Sequence, residues 1–129
     1  MIKANIKKLV WISSIGIYDE VPGKFGEWNH QMLGAPDQPG TYLGTYRKAA
    51  DIVSSSGLDH TIIRPAWLTN NDEIDYELTK RGENFKGTEV SRKSIGNLVA
   101  KILINPSKFK QADLGVDKPD SDGDKPQWY

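Results

Sequence analysis

Two short apolar runs bracket an amphipathic stretch, and that order constrains the fold more than any other feature of the chain. Lys8–Ser13 (KLVWIS) is densely apolar with no helical period, the pattern of a strand buried on both faces. His60–Arg64 carries the β-branched Thr61, Ile62 and Ile63 and is ended by Pro65, which reads as a second strand. Between them Leu43, Tyr46, Ala50 and Val53 recur at three- and four-residue spacing, which predicts a helix over Leu43–Ser56 with Gly57 placed to stop it. Strand, crossover helix, strand is a βαβ unit, and such a unit requires parallel strands.

The rest of the chain extends this pattern. Gly16 to Thr41 holds Pro22, Gly23, Gly26, Gly34, Pro36, Pro39 and Gly40, and that density of breakers predicts a long loop. Asp75–Thr79 alternates weakly, as a short extra strand would. Ser91 stands as an N-cap before a regular stripe of Ile95, Leu98, Val99, Ile102 and Leu103, which predicts a helix over Ser91–Leu103 ended by Asn105-Pro106. Ala112–Val116 reads as one more strand, and Asp117–Tyr129 as a polar tail. The expected fold is a single α/β domain over 1–129, a partial Rossmann-like arrangement of about three strands with flanking helices.

Composition removes several function classes. Seventeen basic and seventeen acidic residues cancel, and no basic block stands out, which argues against nucleic acid as a partner. Zero cysteines exclude disulfides, thiolate metal sites and a cysteine nucleophile. Asp72-Glu73 and Asp120 to Asp124 lack a ligand-like spacing, so a solvated face rather than a metal site is expected, and His30 and His60 read as structural. No apolar run is long enough to span a bilayer, and the basic start MIKANIKKLVWISS lacks the apolar stretch of a secretory signal; a cytoplasmic protein is expected.

In open α/β sheets, ligands bind beyond the carboxyl ends of parallel strands. Those ends are Ser13-Ser14-Ile15-Gly16 and Arg64-Pro65-Ala66-Trp67, so two hydroxyls and an arginine are expected on one rim, with Tyr42 or Tyr46 able to present a phenol to it. From local spacing alone the commoner role of such residues is in the scaffold, the serines satisfying strand-end backbone and Arg64 pairing with a surface carboxylate. The twelve glycines include no G-x-G-x-x-G, the turn that lets backbone N–H groups approach a pyrophosphate.

The segments LVWISSIGIYDE, YRKAADIVSSSGLDHTIIRPAWLT and GTEVSRKSIGNLVAKIL, in this order, resemble the C-terminal half of atypical short-chain dehydrogenases, a group of NAD(P)-binding Rossmann proteins with NmrA-like and epimerase-like members. The resemblance runs from about Lys7 to Gly115. It implies that Ser14 orients a substrate carbonyl and that Ser13, Arg64, Pro65, Ala66 and Trp67 approach the nicotinamide of NAD or NADP. It also implies a tyrosine acid/base with a lysine four residues later. The chain departs here: Tyr42 is followed at that distance by Tyr46, Tyr46 by Ala50, and Lys48 fits neither. The implied activity is that of an NAD(P)-dependent oxidoreductase or epimerase-like protein acting on a small molecule. A non-catalytic NmrA-like dinucleotide sensor or an interaction module are the alternatives. The chain looks like the second half of such a protein, so no tight dinucleotide binding by these residues alone is expected. Half a doubly wound sheet leaves an edge and faces to cover, and self-association as a homodimer is the expected remedy.

Overall fold

The computed structural model describes residues 8–129. The first half of the N-terminal segment read above for a signal, residues 1–7, lies outside them. Strand β1 (Leu9–Ile12) is followed by helices α1 (Gly23–Leu33) and α2 (Tyr42–Ser54), strands β2 (His60–Pro65), β3 (Trp67–Thr69), β4 (Glu77–Lys80) and β5 (Glu89–Ser91), helix α3 (Arg92–Ile104), a 3₁₀ turn at Pro106–Phe109 and strand β6 (Ala112–Asp117). The main sheet has the order β1-β2-β6-β4, and β3 pairs with β5 in a small second sheet. β1 and β2 are adjacent and parallel, Leu9 opposite His60 and Ile12 opposite Ile63. β6 continues the parallel run beside β2, and β4 closes that side antiparallel. The chain therefore has the α/β architecture of a partial Rossmann-like fold, with four strands in the main sheet rather than about three.

The faces of β2 sort the core. Ile63 belongs to a cluster with Phe25 of α1 and Ile95, Leu98 and Ile102 of α3. Its neighbour Ile62 belongs to a second cluster with Leu43, Ala50 and Val53 of α2. Successive side chains of a strand point to opposite faces, so this alternation puts α2 on one face of the sheet and α1 with α3 on the other. Both later helices have the caps their sequence offers. Thr41 accepts from the Gly44 N–H at 3.1 Å, and Ser91 accepts from the Ser94 N–H at 3.0 Å.

Three expectations need correction. The Gly16–Thr41 segment contains α1, because two of its glycines serve packing rather than a loop. A Cβ on Gly26 would lie 2.0 Å from the Val21 carbonyl oxygen, and Gly34 ends the helix at φ +80 with Thr41 pressed against it. β1 is not buried on both faces. It is the end strand among the described residues, and Trp11 and Ile12 are 37% and 43% exposed. Finally, Asp117–Tyr129 does not stand off as a tail: Asp117 is the last residue of β6, Thr88 donates its hydroxyl to the Ser121 carbonyl at 2.7 Å, and Tyr129 packs on Trp28 and Trp67. Among the described residues no helix is long and apolar enough to cross a membrane.

Candidate functional site

At the carboxyl ends of β1 and β2 the chain keeps its sheet-like bonding past the strands. Ser13 N–H donates to the Ile63 carbonyl at 2.7 Å and Ile15 N–H to the Pro65 carbonyl at 3.1 Å. This pins Ser13-Ser14-Ile15 alongside the end of β2, until Gly16 turns the chain away at φ +90. Opposite them the first turns of α2 deliver Tyr42 and Tyr46, whose rings stack at 4.4 Å. On the other side the β3–β5 pairing, with Trp67 opposite Glu89, brings the N-terminus of α3 and its first residue Arg92 beside Trp67 and Leu68.

These elements enclose a cavity of about 420 Å³. Ser13, Ser14, Tyr42, Tyr46, Pro65, Ala66 and Trp67 all line it. Lys48 does not: it is exposed on α2, two residues and therefore about 200° around the helix from Tyr46. Arg64 does not either, and the expectation of a rim arginine is wrong. β2 runs one residue further than its sequence pattern indicates, so Arg64 sits inside the sheet and is fully buried. Its guanidinium donates to the partly buried Asp113 at 2.6 Å and, by another nitrogen, to the buried Glu20, rather than to a surface carboxylate. Tyr18 completes the group, donating to Asp113 while its ring lies under Arg64, Arg47 and Arg81. Burial, and then the Asp113 carboxylate, push the Tyr18 phenol well above its ordinary pKa. This cluster ties the turn after β1 to β2 and β6, and it is a scaffold, not a ligand site.

The cavity's polar groups differ in their freedom. The Ala66 and Trp67 N–H groups already donate to Val116 and Thr88 at 2.9 and 3.2 Å, so this turn supplies shape rather than donors. Ser14 Oγ donates to the Ile15 carbonyl at 3.0 Å and lies on the same cavity wall as the Tyr42 phenol. Ser13 Oγ is buried and has no partner among the described residues. A buried hydroxyl left unpaired costs about 1–3 kcal/mol, which a rotation of the Ser13 side chain toward a ligand in the cavity would recover. Burial, with the neighbouring Tyr46, pushes the Tyr42 phenol up to about 12 despite the opposing effect of the Ser14 hydroxyl. Tyr42 therefore keeps its proton at neutral pH, and among the described residues no lysine of the cavity wall counters that shift.

The opposite wall was not legible as part of a site. Trp128 and Tyr129, read as the end of a tail, line the cavity with Trp67. Tyr129 meets Trp67 edge-on at 5.5 Å and Trp28 edge-on at 5.1 Å. Asn29, 1% exposed, accepts from the Trp67 indole at 2.8 Å and donates to the Phe25 carbonyl, which fixes the orientation of that ring. The concentration of aromatics at the very end of a polar segment was the available signal. The acidic pair Asp72-Glu73 lies elsewhere, bound to Lys93 and Lys118, and among the described residues no group of three or more metal-ligating side chains converges.

Comparison with known proteins agrees with this fold. A short-chain dehydrogenase/reductase from Veillonella parvula, solved in complex with NADP, superposes with a TM-score of 0.86 at 30% identity over 97% of this chain and 57% of its own. Its ethylated form gives a TM-score of 0.87 at 28% identity over 98% and 57%. A Rossmann-fold NAD(P)-binding family protein from Shigella flexneri is 43% identical, with a TM-score of 0.71 over 97% of this chain and 53% of its own. The chain thus spans a little over half the length of these structures. A comparison with curated protein sequences gives no match. The NAD(P)H-binding family model matches residues 1–106, most of the 129, and the chain belongs to that family.

Proposed function

We propose that these residues form the nicotinamide and substrate side of an NAD(P)-dependent oxidoreductase or epimerase-like site. The single observation that carries this reading is the unpaired, buried Ser13 hydroxyl in a cavity at the carboxyl ends of two adjacent parallel strands. Ser13, with the Pro65–Trp67 turn as its floor, would hold the nicotinamide end of the cofactor. When bound, the nicotinamide gives or takes a hydride. Ser14 and Tyr42 are two hydroxyl-bearing residues of the cavity lining, suited to donate to a carbonyl or hydroxyl of the substrate. Trp67, Trp128 and Tyr129 exclude water from the far side.

Nothing in the cavity wall replaces the glycine-rich turn that receives a pyrophosphate, so this chain is expected to hold NADPH no better than its nicotinamide end. Amide NMR of the 129-residue chain tests both points. Reduced nicotinamide mononucleotide should shift Ser13, Ser14, Ala66 and Trp67, whereas adenosine 2′,5′-bisphosphate should shift none of them. Shifts confined to other parts of the molecule, or a micromolar dissociation constant for NADPH, would overturn the reading.

One observation favours a second reading, in which the site binds a dinucleotide as an NmrA-like sensor without turnover. Tyr42 is held protonated with no lysine among the described residues of the cavity wall, and Lys48 faces solvent. Binding without substrate-dependent oxidation of NADPH, in a protein that also contains the pyrophosphate turn, would decide for it.

A further inference from the structure

We infer that the ligand sharing this cavity with the nicotinamide is a flat aromatic molecule carrying an anionic group, held between the Trp67–Trp128–Tyr129 wall and Arg92. The inference rests on the reading that the cavity is the ligand site, and adds the chemical class of the substrate.

Three observations support it. First, the wall is aromatic and held in place. Trp67 is fixed by the buried Asn29, and Tyr129 is packed edge-on against it, while Trp128 and Tyr129 stay 50% and 52% exposed at the cavity. Half-exposed rings on a rigid backing offer a face to a planar ligand at little entropic cost, because the wall is ordered before the ligand arrives.

Second, the side-chain charge is one-sided. Among the described residues no aspartate or glutamate side chain lines the cavity, whereas Arg92 does. The bond described for its guanidinium is to the neutral amide of Asn70, at 2.7 Å, and it takes part in none of the ion pairs among the described residues. A guanidinium with spare donors, at the first turn of a thirteen-residue helix, favours an anion and is shaped to bind a carboxylate by two bonds.

Third, the size fits. About 420 Å³ exceeds what one nicotinamide ring fills and leaves room for a second small ring, not for an extended chain. The polar pair Ser14–Tyr42 lies on the opposite wall, so an aromatic anion anchored at Arg92 would present its other end to those hydroxyls.

Calorimetry on the 129-residue chain with 2-naphthoate, 2-naphthylmethanol and cyclohexanecarboxylate tests this. We expect naphthoate to bind at least about tenfold more tightly than either, the first margin measuring the charge and the second the flat ring. Arg92→Gln should erase the first margin and leave the second. Trp128→Ala should shrink the second and leave the first. Both positions are exposed, so folding is not at stake, and circular dichroism checks it. No saturable naphthoate binding, equal binding of all three probes, or an unchanged Arg92→Gln profile would overturn the inference. So would an Arg92→Gln variant that loses reduced nicotinamide mononucleotide but keeps naphthoate, since Arg92 would then serve a cofactor phosphate. The two readings fail separately. Naphthoate discrimination without nicotinamide shifts at Ser13 would sink only the cofactor assignment, and nicotinamide shifts without discrimination would sink only the substrate class.

Discussion

Replacing Asp117 by asparagine should stabilise the protein at alkaline pH and leave it unchanged in acid. Asp117 ends β6, is 1% exposed, and stands directly across the antiparallel ladder from Glu77. One carboxyl oxygen accepts from the Gly87 N–H at 2.8 Å, and the other has no partner among the described residues. Burial, and then the Glu77 carboxylate, push its pKa from 3.8 up to about 7, against the opposing bonds from the Gly87 and Lys86 backbone. The folded state thus holds a proton that the unfolded chain has already released between about pH 4 and pH 7. This contribution to stability is complete below pH 4, falls as pH rises through that window, and is gone above it. The difference of about 3 units, at about 1.4 kcal/mol each, sets a ceiling of about 4 kcal/mol.

The amide introduced by Asp117→Asn would keep an oxygen for Gly87, offer an N–H to Glu77 and never ionise. The variant should therefore melt with the parent at pH 4 and gain steadily to pH 8. At about 4 °C per kcal/mol, the gain there is on the order of 10 °C. Thermal melts followed by circular dichroism from pH 4 to 9 measure it. A difference between the two proteins that is constant across this range, or an Asp117→Asn variant that is less stable than the parent at pH 8, would refute the argument.

Other outcomes follow from the scaffold. Arg64→Met should cost about 3–5 kcal/mol in urea unfolding, because the buried Glu20 and the partly buried Asp113 would be left without their cation. Gly26→Ala should destabilise by more than an exposed helix change, since its methyl must displace the Val21 carbonyl; Gly96→Ala on α3, which meets nothing within 4 Å, should be neutral or stabilising. The open β1 edge, with Trp11 and Ile12 exposed, should drive self-association at micromolar concentration; sedimentation that shows a monomer, or a dimer unaffected by Trp11→Lys, would refute that assignment of the interface.

What the sequence made legible was what periodicity encodes. β1, α2, β2, α3 and β6 carry their own apolar patterns, and their boundaries shift by only a residue or two in the fold. α1 was hidden because its glycines are read locally as breakers, whereas Gly26 answers to a contact with the preceding turn. Arg64 was misplaced for a related reason. A charge at the end of an apolar run looks like a strand terminus, and only the distant Glu20 and Asp113 make its burial tolerable. At the site, strand ends located Ser13, Ser14 and the Pro65–Trp67 turn. The Trp128–Tyr129 wall depends on where the chain goes after β6, about which local pattern is silent.

The order of the main sheet has a consequence for how the chain is made. β6 comes after every other described strand in chain order, yet it lies between β2 and β4. As the chain emerges N-terminus first, β1 and β2 can pair early, but β4 has no neighbour to join until residues 112–117 have appeared. Until then Glu20 has its Arg64 partner without Asp113, and one side of β2 is an unpaired edge. The nascent protein must pass through a stage with an open, apolar strand in its middle, the kind of species that chaperones bind. A stop or frameshift ahead of residue 112 would not trim an edge; it would remove the wedge that joins the two parts of the sheet.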